Sequence, residues 1–173
     1  MKTKALFFGL IAAGALFGGI AARADGAGDP TPVTSTNGEY FDKQGNQTYK
    51  IDKDGTVDWY TYIGYQQYGA NCLQCHGPDA LGSSYAPSLV DALKSMSTSD
   101  VMGIIIGGMQ NVSASQDLVM PAFGTNKNVM CYIDAIYIYL RARSDDALGR
   151  DRPEKYAPRP EAYEKSLDSC FGG

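Results

Sequence analysis

Apolar and polar positions divide the chain into an uncharged start, a turn-rich stretch and a series of helical patterns. Residues 5–22 carry no charge and follow Lys2 and Lys4. Residues 25–38 are Pro, Thr, Gly and Asp with few apolar positions, which reads as a flexible leader. Residues 39–58 alternate more regularly, with Tyr40, Phe41, Tyr49, Ile51 and Val57 around Gln44-Gly45-Asn46 and Asp52-Lys53-Asp54-Gly55. That is hairpin patterning, with glycine where a turn needs positive φ. The acidic stretch is similar to a calcium-binding loop. However, aligning Gly55 as the required glycine puts Lys50 and Thr61 where carboxylates are needed, so the reading is a turn.

Helical signals fill most of the remainder. Asp58 can cap a helix over residues 59–70, whose aromatic positions include Tyr62, Tyr65 and Tyr68. Residues 71–87 are turn-rich, and residues 88–94 suit a short helix. Ser99 or Asp100 caps a helix over 101–106 that Gly107-Gly108 ends. Residues 111–125 read as a long polar connection. The strongest helical pattern spans 128–143, where Ile133, Ile136, Tyr137 and Leu140 fall at i, i+3, i+4 and i+7. A charged tail with Pro153, Pro158 and Pro160 follows Ser144 and contains Cys170. The predicted class is all-α with a short N-terminal hairpin extension. The divisions are 1–24, 25–58, 59–143 and 144–173.

Composition sharpens this picture. The chain has 173 residues and a net charge of −4, with four cysteines and one histidine. Acidic balance argues against nucleic acid as a partner, because no basic excess exists to neutralise phosphates. Residues 1–24 read as a signal peptide, since Ala22-Arg23-Ala24 fits the small-x-small cleavage pattern. An uncleaved membrane anchor is the rival, but ten of the eighteen residues in 5–22 are Ala or Gly. Cleavage would remove Lys2, Lys4 and Arg23 and leave 12 basic against 19 acidic residues, a net charge of −7. The expected compartment is the periplasm, where thiols pair or are modified.

The single histidine limits the chemistry. A Ser-His-Asp hydrolase or a His-ligated zinc enzyme would need His76, and His76 already belongs to another motif. Cys72-Leu73-Gln74-Cys75-His76 is C-x-x-C-H, the attachment signature of c-type haem. Each thiol can add to one haem vinyl group, with the imidazole as proximal iron ligand. A thioredoxin-type redox pair would want a βαβ setting, and none is visible. Zinc would need two more ligands, and Cys131 and Cys170 lack knuckle spacing. A plain disulfide would not need the histidine. One covalent haem c is therefore the expected cofactor, bound through Cys72, Cys75 and His76.

Electron transfer at low-spin haem calls for a sixth ligand, and methionine is what remains. Met96, Met102 and Met130 lie within or beside helical stretches and suit core filling. Met120, in Val119-Met120-Pro121-Ala122-Phe123-Gly124, sits in the long connection, where Pro121 stiffens the approach. Met120 is the candidate, Met109 is second, and an open or water-bound iron is third.

The stretch 59–143 resembles the class I cytochromes c. Gly64 and Tyr68 stand eight and four residues before Cys72, where that family places a glycine and an aromatic. The resemblance implies that Gly64 lets the first and last helices cross closely, with Ile136 and Tyr139 on the crossing face. It also implies that the carbonyl of Pro87 accepts the proximal imidazole N–H, which would fix the tautomer of His76. Four cysteines, the Met120-Pro121-Ala122-Phe123-Gly124 loop and Leu140-Arg141-Ala142-Arg143 ahead of Gly149-Arg150-Asp151-Arg152-Pro153 are similar to the methanol-metabolism-related cytochromes c. That narrower likeness implies a PQQ-dependent methanol or alcohol dehydrogenase as donor and a second cytochrome c or an oxidase as acceptor. In an exported chain Cys131 and Cys170 are expected to form a disulfide that pins the tail, two free buried thiols being the alternative. The expected function is a one-electron carrier rather than an enzyme. The competing classes are a haem enzyme or gas sensor with an exchangeable iron position, and a cytochrome subunit tethered in a dehydrogenase or oxidase complex.

Overall fold

The structure, a computed structural model, describes residues 28–112 and 117–172. Residues 1–24, and with them the export reading, lie outside the described residues. The chain begins with an antiparallel sheet ordered β1 (Thr34–Thr36), β2 (Glu39–Phe41) and β3 (Gln47–Thr48). Next come the helices α1 (Trp59–Asn71), α2 (Leu73–His76), α3 (Leu89–Ala92) and α4 (Thr98–Gly107). A second antiparallel pair, β4 (Met109–Val112) and β5 (Asp117–Met120), precedes α5 (Lys127–Met130), α6 (Ile133–Ser144) and α7 (Glu161–Phe171). No helix among the described residues is long and apolar enough to cross a membrane.

Several expectations change. The fold is helical but not all-α, since two small sheets accompany the helices. Part of the expected flexible leader is strand: Thr34 and Thr36 pair with Phe41 and Glu39. The turns that follow are as expected, with Gly45 and Gly55 at φ 83° and 84°. The cap of α4 is Ser97, and Asp100 completes a capping box by returning its carboxylate to the Ser97 backbone. The continuous helix expected over 128–143 is broken. At Cys131 the backbone closes tighter bonds, with Tyr132 N–H donating to the Val129 carbonyl, before α6 begins. The charged, proline-bearing tail contains a helix that was not expected, α7, whose Tyr163 and Leu167 pack on the core at i, i+4 spacing.

Helix α6 is the centre of the molecule. Every residue from Ala135 to Ser144 is buried, so α6 has neighbours on all sides. Helix α1 crosses it at Gly64, where an added Cβ would overlap the Ala135 carbonyl oxygen and come within 2.9 Å of Tyr139 Cβ. The close crossing is as expected from the resemblance, but its face is Ala135 and Tyr139; Ile136 turns elsewhere. Asp58 fixes the start of α1, accepting from the Thr61 N–H (2.9 Å), the Thr61 hydroxyl (2.6 Å) and the Lys50 N–H (2.8 Å).

Both chain extensions are anchored to this pair. Arg141, fully buried, donates to Asp42 (2.8 Å) and to the Gln47 carbonyl (2.6 Å), which ties the N-terminal sheet to α6. Such a pair is costly to desolvate, and breaking it by removing one partner typically loses about 3–5 kcal/mol. The tail docks on α1: Val57 exchanges backbone hydrogen bonds with Lys155 and Ala157, and the Tyr62 ring stacks on Tyr156 at 3.6 Å. Cys131 and Cys170 form a disulfide, the pairing that export suggested, which joins the α5–α6 junction to α7. Closing that loop stabilises the fold by about 3–4 kcal/mol on chain-entropy grounds.

Two outcomes follow. Gly64→Ala should lower stability by about 2–3 kcal/mol in denaturant unfolding, because the clash meets backbone that cannot rotate away. Glu39, half-buried beneath Gln47 and facing Asp134, has its carboxyl pushed up from 4.5 to about 7, mainly by burial. The folded state then holds a proton that the unfolded state releases, so stability should fall as pH rises from about 4.5 to 7. Glu39→Gln should flatten that part of the pH–stability curve and melt higher than the parent above pH 7.

Candidate haem site

One helical turn arranges the C-x-x-C-H residues. Cys72 is the N-cap of α2, and the Cys75 and His76 N–H groups both donate to its carbonyl. Spacings of i+3 and i+4 therefore put both thiols and the imidazole on neighbouring faces of one turn. Gly77, at φ 79°, then reverses the chain; a side chain there would meet the Gly82 carbonyl at 2.7 Å. The loop closes on itself through the Gly82 N–H to the His76 carbonyl (2.9 Å) and the Leu89 N–H to the Ala80 carbonyl (2.9 Å). Tyr68, from α1, donates its hydroxyl to the Gly77 carbonyl and so ties the loop to the crossing helices.

This loop carries Pro87 back to the histidine. His76 Nδ1 lies 3.0 Å from the Pro87 carbonyl oxygen, which can only accept, so Nδ1 carries the proton and Nε2 keeps its lone pair. His76 is otherwise buried.

An apolar cleft, open on one side, borders His76 and Cys72. Its walls come in pairs at i, i+4 spacing: Leu89 and Leu93 at α3, Val101 and Ile105 on α4, Ile136 and Leu140 on α6. Ala92, Met96, Ile104 and Met120 complete the lining. Met120 reaches the cleft from the end of a strand, not from the free loop the sequence suggested. Gly108 (φ 73°) lets β4 run so close that a Cβ there would sit 2.7 Å from the Met120 carbonyl. Beyond Pro121, the Phe123 and Gly124 N–H groups donate to Ile105 and Ile106 carbonyls at 3.0 Å, locking the segment to the end of α4.

The structure thus brings Cys72, His76 and Met120 to one cleft, with Cys75 exposed beside it. Met109 is cross-strand from Met120 but half-exposed and outside the lining. Met102 and Met130 pack against the core, as their helical settings suggested. Tyr68, Phe123 and Tyr139 sit in or against the core rather than in the wall of the cleft. Leu93, Val101 and Ile105 were not singled out from the sequence, although their i, i+4 spacing carries the signal.

These residues fit a haem. The wall is apolar, and the donor set is one imidazole and one thioether with a cysteine pair alongside. Burial pushes the Cys72 thiol up to about 11, which disfavours the thiolate that zinc or a reactive redox pair requires. A neutral thioether has no such cost.

The chain belongs to the c-type cytochromes, which carry covalently bound haem c. The family described as cytochrome c oxidase, cbb3-type, subunit III matches residues 62–140. Among individual relatives, cytochrome c-553I of Paracoccus denitrificans is 46% identical over 145 residues, covering 84% of this chain and 64% of the relative. The chain therefore spans less than two thirds of that protein's length. Cytochrome c-555 of Methylococcus capsulatus (strain ATCC 33009 / NCIMB 11132 / Bath) is 33% identical over 100 residues, covering 57% of this chain and 75% of the relative. The crystal structure of c-type cytochrome XoxG from Methylobacterium extorquens AM1 superposes with a TM-score of 0.76 at 47% identity, over 82% of this chain and 86% of that one. The cytochrome c fold expected from the resemblance is thereby established.

Tyr68→Phe should cost about 1–2 kcal/mol in thermal or denaturant unfolding, since it leaves the buried Gly77 carbonyl short of a donor.

Proposed function

We propose that this cytochrome is an exported, periplasmic one-electron carrier that takes electrons from a PQQ-dependent methanol or alcohol dehydrogenase and passes them to a second cytochrome c or an oxidase. The observation that carries the reading is one apolar cleft that Cys72, His76 and Met120 all border. In this reading Cys72 and Cys75 would hold the haem through thioether bonds, and His76 and Met120 would supply the imidazole and thioether for its iron. Bound haem would supply a one-electron ferric–ferrous couple.

The protein's own residues do the rest. Pro87 holds the imidazole in one tautomer, so its Nε2 lone pair is available without a proton to lose. The bonds from Phe123 and Gly124 to α4 restrain the Met120 segment, which suits a ligand kept in both redox states. Apolar walls exclude water and favour the less charged ferrous form. The likeness to XoxG, a c-type cytochrome with nearly the same reach of chain, supports the methanol-metabolism assignment that the four-cysteine pattern suggested.

Docking would use the open side of the cleft. Near the Met120 segment Ala122 is exposed and Phe123 half-buried, and Ile106, Met109 and Val119 are exposed apolar side chains of the elements it joins. Partners of turnover complexes bury little area, typically under about 1,200 Å². A net charge of −7 on residues 25–173 favours a basic surface on at least one partner. A second reading, a subunit held within an oxidase complex, is favoured by the likeness to the cbb3-type subunit family. Purification from periplasm as a free single-haem protein would exclude it.

Three measurements test the proposal. A Cys72→Ala/Cys75→Ala double variant should release its haem into acidified organic solvent, whereas the parent retains it. Met120→Ala should lose the weak far-red absorption of thioether-ligated ferric haem and bind carbon monoxide readily, with His76 still bound. In stopped-flow mixing, a PQQ dehydrogenase should reduce the protein with a rate constant that falls about tenfold or more between low and physiological salt. Reduction no faster than that by a neutral chemical reductant would remove the dehydrogenase from the account.

A further inference from the structure

Two arginines near the end of α6 are buried under opposite conditions. The charge of Arg141 is neutralised by Asp42 at 2.8 Å. Arg143, only 6% exposed, has no carboxylate oxygen within 4.0 Å among the described residues. Its Nη atoms donate to the Leu148 and Asp79 carbonyls (2.5 and 3.0 Å), its Nε has no hydrogen-bond partner among the described residues, and Tyr139 lies nearby. The hydroxyl of Tyr139 stays neutral, since burial pushes it up to about 12. All partners of Arg143 are therefore uncharged. The nearby Asp79 carboxylate is engaged by the exposed Arg150.

This buried cation is adjacent to the haem site through two routes. Along α6, Leu140, one turn earlier, is a wall of the cleft. Across the fold, the Asp79 carbonyl that Arg143 holds belongs to the loop leaving His76 and closing back on the His76 carbonyl at Gly82. A charge in such a place is poorly screened by salt and acts through a medium of low dielectric.

We propose that Arg143 is a potential-setting residue: its uncompensated charge favours the ferrous over the ferric state of the bound haem and raises the reduction potential. The proposal rests on the electron-carrier reading. The fixed dipole at the α6 C-terminus helps tolerate the cation, but substitution removes a whole charge against that unchanged background.

The test compares midpoint potentials of the holoprotein by spectroelectrochemical titration. Arg143→Gln keeps an amide donor but no charge; at the parent's midpoint its ferric-to-ferrous ratio should rise about three- to tenfold, as expected for a unit charge one to two nanometres away. A tenfold change is about 59 mV. Arg143→Lys keeps the charge and loses the fork, and should stay within about twofold of the parent. Equal shifts in both variants would mean that the hydrogen bonds matter and not the charge, and no shift in Arg143→Gln would also overturn the proposal. Should Arg143→Gln fail to hold haem, Arg143→Met, an uncharged chain of similar length, makes the same comparison. It should raise the ratio about three- to tenfold, and an unchanged ratio refutes the assignment. Reversible one-electron titration and the far-red band of the unmodified protein check the carrier reading independently of all three variants.

Discussion

Contact between two helix backbones at Gly64 is the constraint from which the rest of the structure is built. With no side chain between them, α1 and α6 approach until the Ala135 carbonyl stands where a Cβ would be. That approach fixes where α1 ends, and one residue after its end the chain enters the turn that carries Cys72, Cys75 and His76. It also fixes the rotation of α6, which turns Ala135 and Tyr139 to α1 and leaves Ile136 and Leu140 for the cleft. A bulkier contact would move both walls of the site at once. The helix crossing is thus the frame on which the chemistry hangs, even though neither Gly64 nor Ala135 lines the cleft.

Much of this was legible in the sequence because each signal was local and chemical. C-x-x-C-H, Gly64 and Tyr68 at fixed offsets, the Asp58 cap and the period of residues 133–140 each need only a few neighbours to be read. What escaped depended on distant partners. Arg141 stands in a helix pattern like any solvated charge, and only the return of Asp42 to its side makes it a core residue. Met120 was legible as a candidate ligand from composition, but its placement was not. The strand pairing that carries it rests on the register of two four-residue strands, and the bonds that steady it come from α4 carbonyls. Helix α7 was masked by charge and proline, although Tyr163, Leu167 and the disulfide cysteine already lay along one face.

The polar interior divides by function. Asp58 and Asp42 have their burial repaid by several donors each and secure the N-terminal segment. Glu39 has a single close donor and two acidic neighbours, so its carboxyl resists ionisation. Around His76, by contrast, the satisfied groups are backbone carbonyls, engaged by Tyr68, Arg143 and the imidazole itself. Holding the ligand loop by its backbone leaves the loop's shape insensitive to pH, which suits a site whose task is to change charge without changing form.

The bonds of Arg141 also bear on how the chain assembles. Its partners are 94 and 99 residues away, a separation that makes their meeting entropically expensive until something else has brought them near. The α1–α6 crossing spans fewer residues and buries far more apolar surface, so it can form first and hold the intervening loop between two packed helices. On that order the N-terminal sheet is a late clasp. It fastens onto α6 once the helices that bear the cleft have packed, adding to a core that it does not start.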